Sequence, residues 1–375
     1  MKKSYLLLLS IPLVACSAIL GLQEPTLDNT IEGGSDGGNP QDAPDNDVTS
    51  ADAPVGDGGA ATELVNARVS FIALDDASVY YTDQLEQVVG RIGKDGTGQV
   101  DLANGAVAGI YPYSVAVDDV DVIWSSIGGL HQCAKTGCGN APLPIIDDNN
   151  NNNPYSTYGI ALDTTVSPTM IYVLVATGQN DVLSIVKVPK GTANATPTTF
   201  IPTAKTCQSL ADLRIYGGDL YFTCGDGTIN RAPLATGTIE VLNSAAPQSA
   251  GAFVIAGTTP MYFVQYLEQG SIFQMPVAVD AGVTPLALQQ GNPAAIDVDT
   301  SYLYWVNQGA ATTPDNGEGS VVRCSIAQCS QTVKTLHAND DVPSAIEVDD
   351  TAIYWGSFGN GLTANSGLWK MPKPP

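Results

Sequence analysis

The hairpin "SAIEVDDTAIYWGS", residues 344–357, recurs in seven variants along the chain, and this repetition constrains the fold more than any other feature. The other copies read "FIALDDASVYYTD", "SVAVDDVDVIWSS", "GIALDTTVSPTMIYVLV", "LRIYGGDLYFTC", "FVIAGTTPMYFV" and "AIDVDTSYLYWVN". Aligning Tyr80, Ile123, Tyr172, Tyr221, Tyr262, Tyr304 and Tyr354 gives intervals of 43, 49, 49, 41, 42 and 50 residues. A repeat of roughly 40–50 residues built from short strands has the period of a propeller blade. In the last copy Ile353 and Trp355 face one side of the strand and Tyr354 the other, since successive side chains alternate. Neither face suits water, and an isolated hairpin is marginal. Each copy therefore needs a neighbour on both sides.

A second motif follows every hairpin: "VGRIGKDG", "LHQCAK", "IVKVPK", "INRAPL", "IFQMPV", "VVRCSI" and "LWKMPK". It reads as a short strand with a long polar side chain near its end, often stopped by Pro, which cannot donate to a ladder. A fourth strand usually comes next, as in "TIEVLN", "TPLALQ" and "TVKTLH". Four strands per unit, A to D, and seven units predict an all-β, seven-bladed propeller over residues 62–375. The last unit lacks its fourth strand, and "TELVN", Thr62 to Asn66, precedes the first. Closed propellers protect their edges, so Thr62 to Asn66 is expected as the outer strand of blade 7.

The segments "YYTD" and "YWVN", followed by "GRIGKDG" and "GSVVRC", resemble the YWTD-type repeats of receptor propellers and their bacterial relatives. The resemblance spans about residues 62–373. Such propellers commonly have six blades, which keeps a six-bladed ring as the alternative count.

Lys2, Lys3 and the apolar run "YLLLLSIPLVA" form a leader too short to span a membrane as a mature helix. Its end, Leu13-Val14-Ala15-Cys16, resembles the lipobox of bacterial lipoproteins, which implies a signal peptide over residues 1–15 and a lipid on Cys16. An ordinary secretory signal cut elsewhere is the alternative. Ser17 after the cysteine implies, by the same resemblance, the outer membrane, on its periplasmic or cell-surface side. Residues 16–61 are acidic and rich in Gly and Pro, a composition that cannot offset its ordering entropy, and are expected as a disordered tether. Without Lys2 and Lys3, 13 basic residues face 38 acidic ones. That balance argues against nucleic acid, which needs a basic footprint.

Six cysteines remain after Cys16, as suits an exported protein. Cys133 with Cys138 and Cys324 with Cys329 each bracket four residues just after strand C, so each pair is expected to staple a C to D turn. Zinc would need a second pair or a nearby His. Cys207 and Cys224 flank the A and B strands of blade 4, whose ends share a rim, and form the third expected bridge. His131 and His337 have no nucleophile partner in sequence and read as packing or surface residues. The pairs Asp75-Asp76, Asp118-Asp119 and Asp349-Asp350 fall in A to B turns, where Asp is at home.

The B to C and D to A connections share one rim. The B to C loops are longest in blade 6, "NQGAATTPDNGEGS", and blade 7, "GSFGNGLTANSG", and blade 1 adds "TDQLEQ" beside them. Asp83, Glu86, Asp315, Asn316, Glu318, Phe358 and Asn360 are the candidate binding residues, since loops carry function. No cofactor is expected, although the oxygen-rich patch suits calcium better than other ions. The channel mouth near Tyr113 and Tyr158 is the alternative location.

These readings together point to a noncatalytic, monomeric, lipid-anchored propeller of the cell envelope that binds a protein or glycan through one rim. The alternatives are a propeller enzyme, resembling seven-bladed lyases with a His and a metal-binding acid or six-bladed lactonases with Glu, Asn and Asp ligands, and a scaffold subunit of an outer-membrane complex. No motif here matches either enzyme. If Cys16 carries the anchor, Cys16→Ser abolishes labelled fatty-acid incorporation and moves the protein out of the membrane fraction; unchanged labelling would disprove the anchor.

Overall fold

The computed structural model describes residues 59–105, 111–147, 155–177, 182–202, 210–224, 226–243, 249–257, 260–309, 318–359 and 366–374. Their strands form seven four-stranded antiparallel sheets, a seven-bladed propeller. Blade 1 is β2 (Val69–Leu74), β3 (Ser78–Asp83), β4 (Val88–Gly93) and β5 (Val100–Asn104). Blade 2 is β6 (Val115–Val117), β7 (Asp121–Ser126), β8 (Gly129–Ala134) and β9 (Leu143–Asp147). Blade 3 is β10 (Tyr155–Asp163), β11 (Met170–Thr177), β12 (Val182–Pro189) and β13 (Thr198–Ile201). Blade 4 is β14 (Leu210–Tyr216), β15 (Asp219–Cys224), β16 (Ile229–Pro233) and β17 (Glu240–Asn243). Blade 5 is β18 (Ala250–Ile255), β19 (Met261–Gln265), β20 (Gly270–Met275) and β21 (Thr284–Gln290). Blade 6 is β22 (Pro293–Val298), β23 (Tyr302–Asn307), β24 (Gly319–Ser325) and β25 (Lys334–Asp340). Blade 7 is β26 (Pro343–Val348), β27 (Ala352–Ser357) and β28 (Gly367–Pro372), completed by β1 (Thr62–Val65).

The expected closure is present: β1 pairs antiparallel with β28, placing Thr62 opposite Lys370 and Val65 opposite Leu368. The A strands β2, β6, β10, β14, β18, β22 and β26 each contact the next around a complete circle, so they line the central channel. The apolar residues sort into one buried cluster for each of the seven junctions between blades. Tyr354 packs with Ile72, Val79 and Tyr81 of blade 1, while Ile353 and Trp355 pack with Tyr304, Val306 and Leu336 of blade 6. A hairpin with two apolar faces is thus enclosed on both.

Gly90 shows how close the packing is within a blade. It lies opposite Tyr81 in the ladder, and a Cβ there would fall 2.3 Å from the Tyr81 ring, so only glycine lets the ring lie across the strand. Cys133 is bonded to Cys138 and Cys324 to Cys329, with Cα separations of 5.5 and 4.8 Å. Each bridge ties the end of a C strand to the turn after it. Cys224 is disulfide-bonded, and Cys207 lies outside the described residues.

In the A to B turns of blades 1, 2 and 7 the first Asp accepts two backbone amides, as an Asx turn does: Asp75 from Ala77 and Ser78, Asp118 from Val120 and Asp121, Asp349 from Thr351 and Ala352. Asp299 does the same with Ser301 and Tyr302. Each also meets a lysine from the next blade. Lys135 reaches Asp75 at 2.8 Å, Lys94 reaches Asp349 at 2.8 Å, Lys373 reaches Asp299 at 2.7 Å, and Lys190 binds Asp118 and, at 2.8 Å, Asp121. All four lysines stand one residue after a C strand. In blades 4, 5 and 6 that position holds Leu234, Pro276 and Ile326, so the junctions 3/4, 4/5 and 5/6 lack the clip.

Two outcomes test this architecture. A chain starting at Ala67 loses β1 and melts at least about 5 °C below one starting at Ala60; equal melting would mean the ring closes without β1. The clips give an acid arm. Burial alone would raise the Asp75 carboxyl, but its bonds to Lys135, to the Ala77 and Ser78 amides and to Tyr80 outweigh this and bring it to about 2. Asp118, Asp299 and Asp349 are lowered in the same way. A depressed folded-state value means stability present above the ordinary carboxylate value and lost as pH falls through the folded one. The melting temperature therefore drops between pH 4 and 2 on an acid titration, and Lys135→Met costs about 1 kcal/mol at pH 7 while flattening that drop.

Candidate functional site

Two regions can do chemistry or binding, the long-loop rim and the channel. On the rim, β23 and β24 are joined by residues 308–318, and β27 and β28 by 358–366, whereas the B to C links of the other blades have two to four residues. Both long loops are rooted by one device. At the exit of β23, Gln308 and Gly309 donate their backbone N–H to Asn292 and Gly291 O; at the exit of β27, Phe358 and Gly359 donate to Val342 and Asp341 O. Below each root an indole is captured by the end of the preceding D strand. Trp305 Nε1 donates to Gln290 Oε1 at 3.1 Å, and Trp355 Nε1 donates to Asp340 Oδ2 at 2.5 Å. Ser357 Oγ donates to the other Asp340 oxygen at 2.5 Å. Tyr266 O–H and Asn292 Nδ2 donate to Gln308 Oε1 at 2.9 and 3.1 Å, adding blade 5 to the blade 6 root.

The sequence-derived rim residues separate into three groups. Asp83 is 3% exposed and gives its carboxylate to the amides of Arg68, Leu85 and Glu86, so it shapes the blade 1 loop. Phe358 is 8% exposed, and its N–H donates to Val342 O, which holds its backbone at the loop root. Glu86 and Glu318 are exposed. Asp315, Asn316 and Asn360 lie outside the described residues. At the alternative location, the rings of Tyr113 and Tyr158 stand 5.1 Å apart, joining blades 2 and 3 at the same rim.

The channel holds the groups that the sequence reading did not single out. At one level of the seven A strands, opposite the aligned B-strand position, stand Ala73, Ala116, Ala161, Arg214, Val254, Asp297 and Glu347. Blades 1, 2, 3 and 5 thus offer a small apolar wall, and blades 4, 6 and 7 a charged one. Arg214 Nε donates to Asp212 Oδ2 at 3.0 Å. Asp212 also accepts the backbone N–H of Phe253 on blade 5, at 3.1 Å. Asp297 accepts the N–H of Val298 and, across to blade 7, of Val348 at 2.8 and 2.7 Å. The Glu347 side chain makes no hydrogen bond among the described residues. The Arg214 side chain is 39% exposed, yet it is coupled to charges on blades 6 and 7. Its exposed surface is therefore lumen surface, enclosed by the ring.

Asp212 above all, then Glu347 and Asp297, hold the guanidinium above its ordinary value against the opposing effect of burial. Burial raises Asp297, with Arg214 opposing. Burial pushes Glu347 up to about 8, helped by the charges of Asp297 and Asp212 and resisted by Arg214.

His131 stacks on Trp124 at 5.6 Å, and burial lowers it to about 4, which keeps it neutral. His337 lies 5.3 Å from Trp355 and 6.4 Å from Trp369. Both are packing residues. Among the described residues no group of three or more His, Cys, Asp or Glu is placed to hold a metal ion.

No protein-family model and no curated protein matches the chain. Among solved structures it is similar to the computationally designed Ika8 protein, with 11% identity, a TM-score of 0.50, and coverage of 78% of this chain and 81% of that one. A chain of the nidogen/laminin complex matches more loosely, with 17% identity, a TM-score of 0.47, and coverage of 64% of this chain and 85% of that one. At such identity the likeness to the designed protein concerns the fold alone.

Proposed function

We propose that the protein is a noncatalytic binding propeller of the cell envelope, lipid-anchored through Cys16, that captures a protein or glycan on the rim carrying the long loops of blades 6 and 7. One observation carries the reading: two adjacent blades carry loops more than twice as long as those of their sisters, from roots built alike, on a single rim. Rigid roots under long loops are how scaffolds present contact residues.

Chain direction adds to it. As the outer strand of blade 7, β1 runs antiparallel to β28 and so begins on the rim of the A to B and C to D turns. Gly59, just before it, lies against Pro372 at the end of β28. The chain therefore enters the ring on the rim opposite the long loops. Exposed Glu86 and Glu318 make the described part of the loop rim acidic, which favours a basic or hydroxyl-rich partner surface.

Deleting residues 312–317 together with Glu86→Lys and Glu318→Lys tests this against the wild-type chain, by capture from envelope extract and on a glycan array. Capture of the same partner falls at least tenfold while the melting temperature stays within about 2 °C. Capture that survives at full strength would move the site off this rim.

A further inference from the structure

The channel sets three carboxylates, Asp212, Asp297 and Glu347, against one guanidinium, Arg214, inside a closed ring. Asp212 is already taken by Arg214 and by the Phe253 amide. Asp297 is partly satisfied by two amides. Among the described residues the Glu347 side chain has neither an amide nor a hydroxyl to hold a negative charge. The other cations around it are engaged elsewhere: Arg323, on β24 packed against β26, donates to Pro374 O at 3.0 Å and lies over the Tyr302 ring, while Tyr304 of β23 donates to Asp299. Lys373, which also acts on Asp297, spends its ammonium on Asp299 at 2.7 Å. Blade 1 presents Val69–Leu74 and blade 5 Ala250–Ile255, both without charge, as is Val115–Val117 of blade 2. On blade 3, Asp163 ends its strand in a turn and accepts the amide and hydroxyl of Thr165. On blade 7 itself, β27 offers only Tyr354, whose hydroxyl donates to Asp349. Like charges set together around a single cation do not all ionise in the ordinary carboxylate range.

We infer that the channel is a proton-binding site, in which Glu347 carries a proton at neutral pH and its loss loosens the ring across blades 4, 6 and 7. The protonated carboxyl leaves Arg214 to Asp212 and Asp297, a set with one uncompensated negative charge. When Glu347 ionises, a second uncompensated negative charge appears beside Asp297. The direction found for Glu347 agrees with this, since burial and the neighbouring carboxylates raise it to about 8. A folded-state value above the unfolded one means stability fully present below the unfolded value and lost as pH rises through the folded one. The loss thus grows from about pH 4.5 to 8, the opposite side of the scale from the lysine clips. This inference concerns the channel and stands apart from the loop rim: the loop deletion above leaves it untouched.

The test is thermal melting of the full chain from pH 5 to 8.5, wild type against Glu347→Gln, with carboxyl NMR on glutamate-labelled wild type as the second measurement. The wild-type melting temperature falls by roughly 5 °C or more across this range relative to the glutamine variant, which is the more stable of the two at pH 8. Asp297→Asn removes a repelling charge and moves the fall to lower pH. In the spectra one glutamate titrates between about pH 7 and 9, far above the usual carboxyl range. Parallel melting curves for wild type and Glu347→Gln, or glutamates that all titrate below pH 6, would overturn the inference.

Discussion

A strand pair with no face for water decides this structure. Ile353 and Trp355 on one side and Tyr354 on the other each bury a large apolar surface, worth roughly 1.5–3 kcal/mol per side chain relative to exposure. Such a pair can stop repeating only if the first copy covers the last. A stack with open ends would leave Tyr354 bare at one end and Ile72, Val79 and Tyr81 bare at the other. The ring removes both ends, and β1 on β28 carries the seam inside a blade, where backbone hydrogen bonds join distant parts of the chain. Seven junctions with seven apolar clusters are the result of that one requirement.

Apolar packing is non-directional and does not by itself set the angle or height of one blade against the next. The lysine after strand C and the aspartate of the neighbouring turn act at this point. Side-chain exposures of 13–17% for Lys94, Lys135 and Lys373 place these pairs between surface and interior. Exposed pairs are worth about 0–1 kcal/mol, so their chief effect is register. The tyrosine of strand B completes the arrangement, since Tyr80, Tyr304 and Tyr354 donate to the same aspartates that the lysines hold. On the other rim Trp305 on Gln290 and Trp355 on Asp340 fix the same relation from within.

Much of this was legible in the sequence because it is periodic. The blade count follows from one aligned residue per unit, the closing strand from a unit that ends early, and the aspartate turns and two disulfides from spacing alone. Cross-blade pairs were not legible: Lys135 and Asp75 are 60 residues apart, and only the ring makes them neighbours. The burial of Asp83 and Phe358 at the loop roots was not legible either, since both stand in polar loop sequence. The channel charges escaped for a different reason. Arg214 and Asp297 occupy strand positions where sister blades have alanine or valine, and a charge within an apolar alternation looks like a solvent-facing residue. Comparing the seven copies column by column would have exposed the belt.

The clips and the channel charges divide the ring between them. The junctions without a clip are 3/4, 4/5 and 5/6, in the arc whose C strands end before Leu234, Pro276 and Ile326. Arg214 and Asp212 sit in the middle of that arc, where Asp212 joins blade 4 to the Phe253 amide of blade 5 and Arg214 is coupled across the lumen to blades 6 and 7. Where the outer rim lacks electrostatic ties, the channel supplies them. The two kinds of tie respond oppositely to protons, because a clip carboxylate is stabilised as an anion by a facing ammonium, whereas Glu347 is enclosed with other carboxylates and favours the neutral acid. Stability in such a ring peaks in mildly acid solution, below the range in which Glu347 ionises and above that in which the clips are protonated, and the arc through blade 4 is the part whose cohesion changes as pH rises.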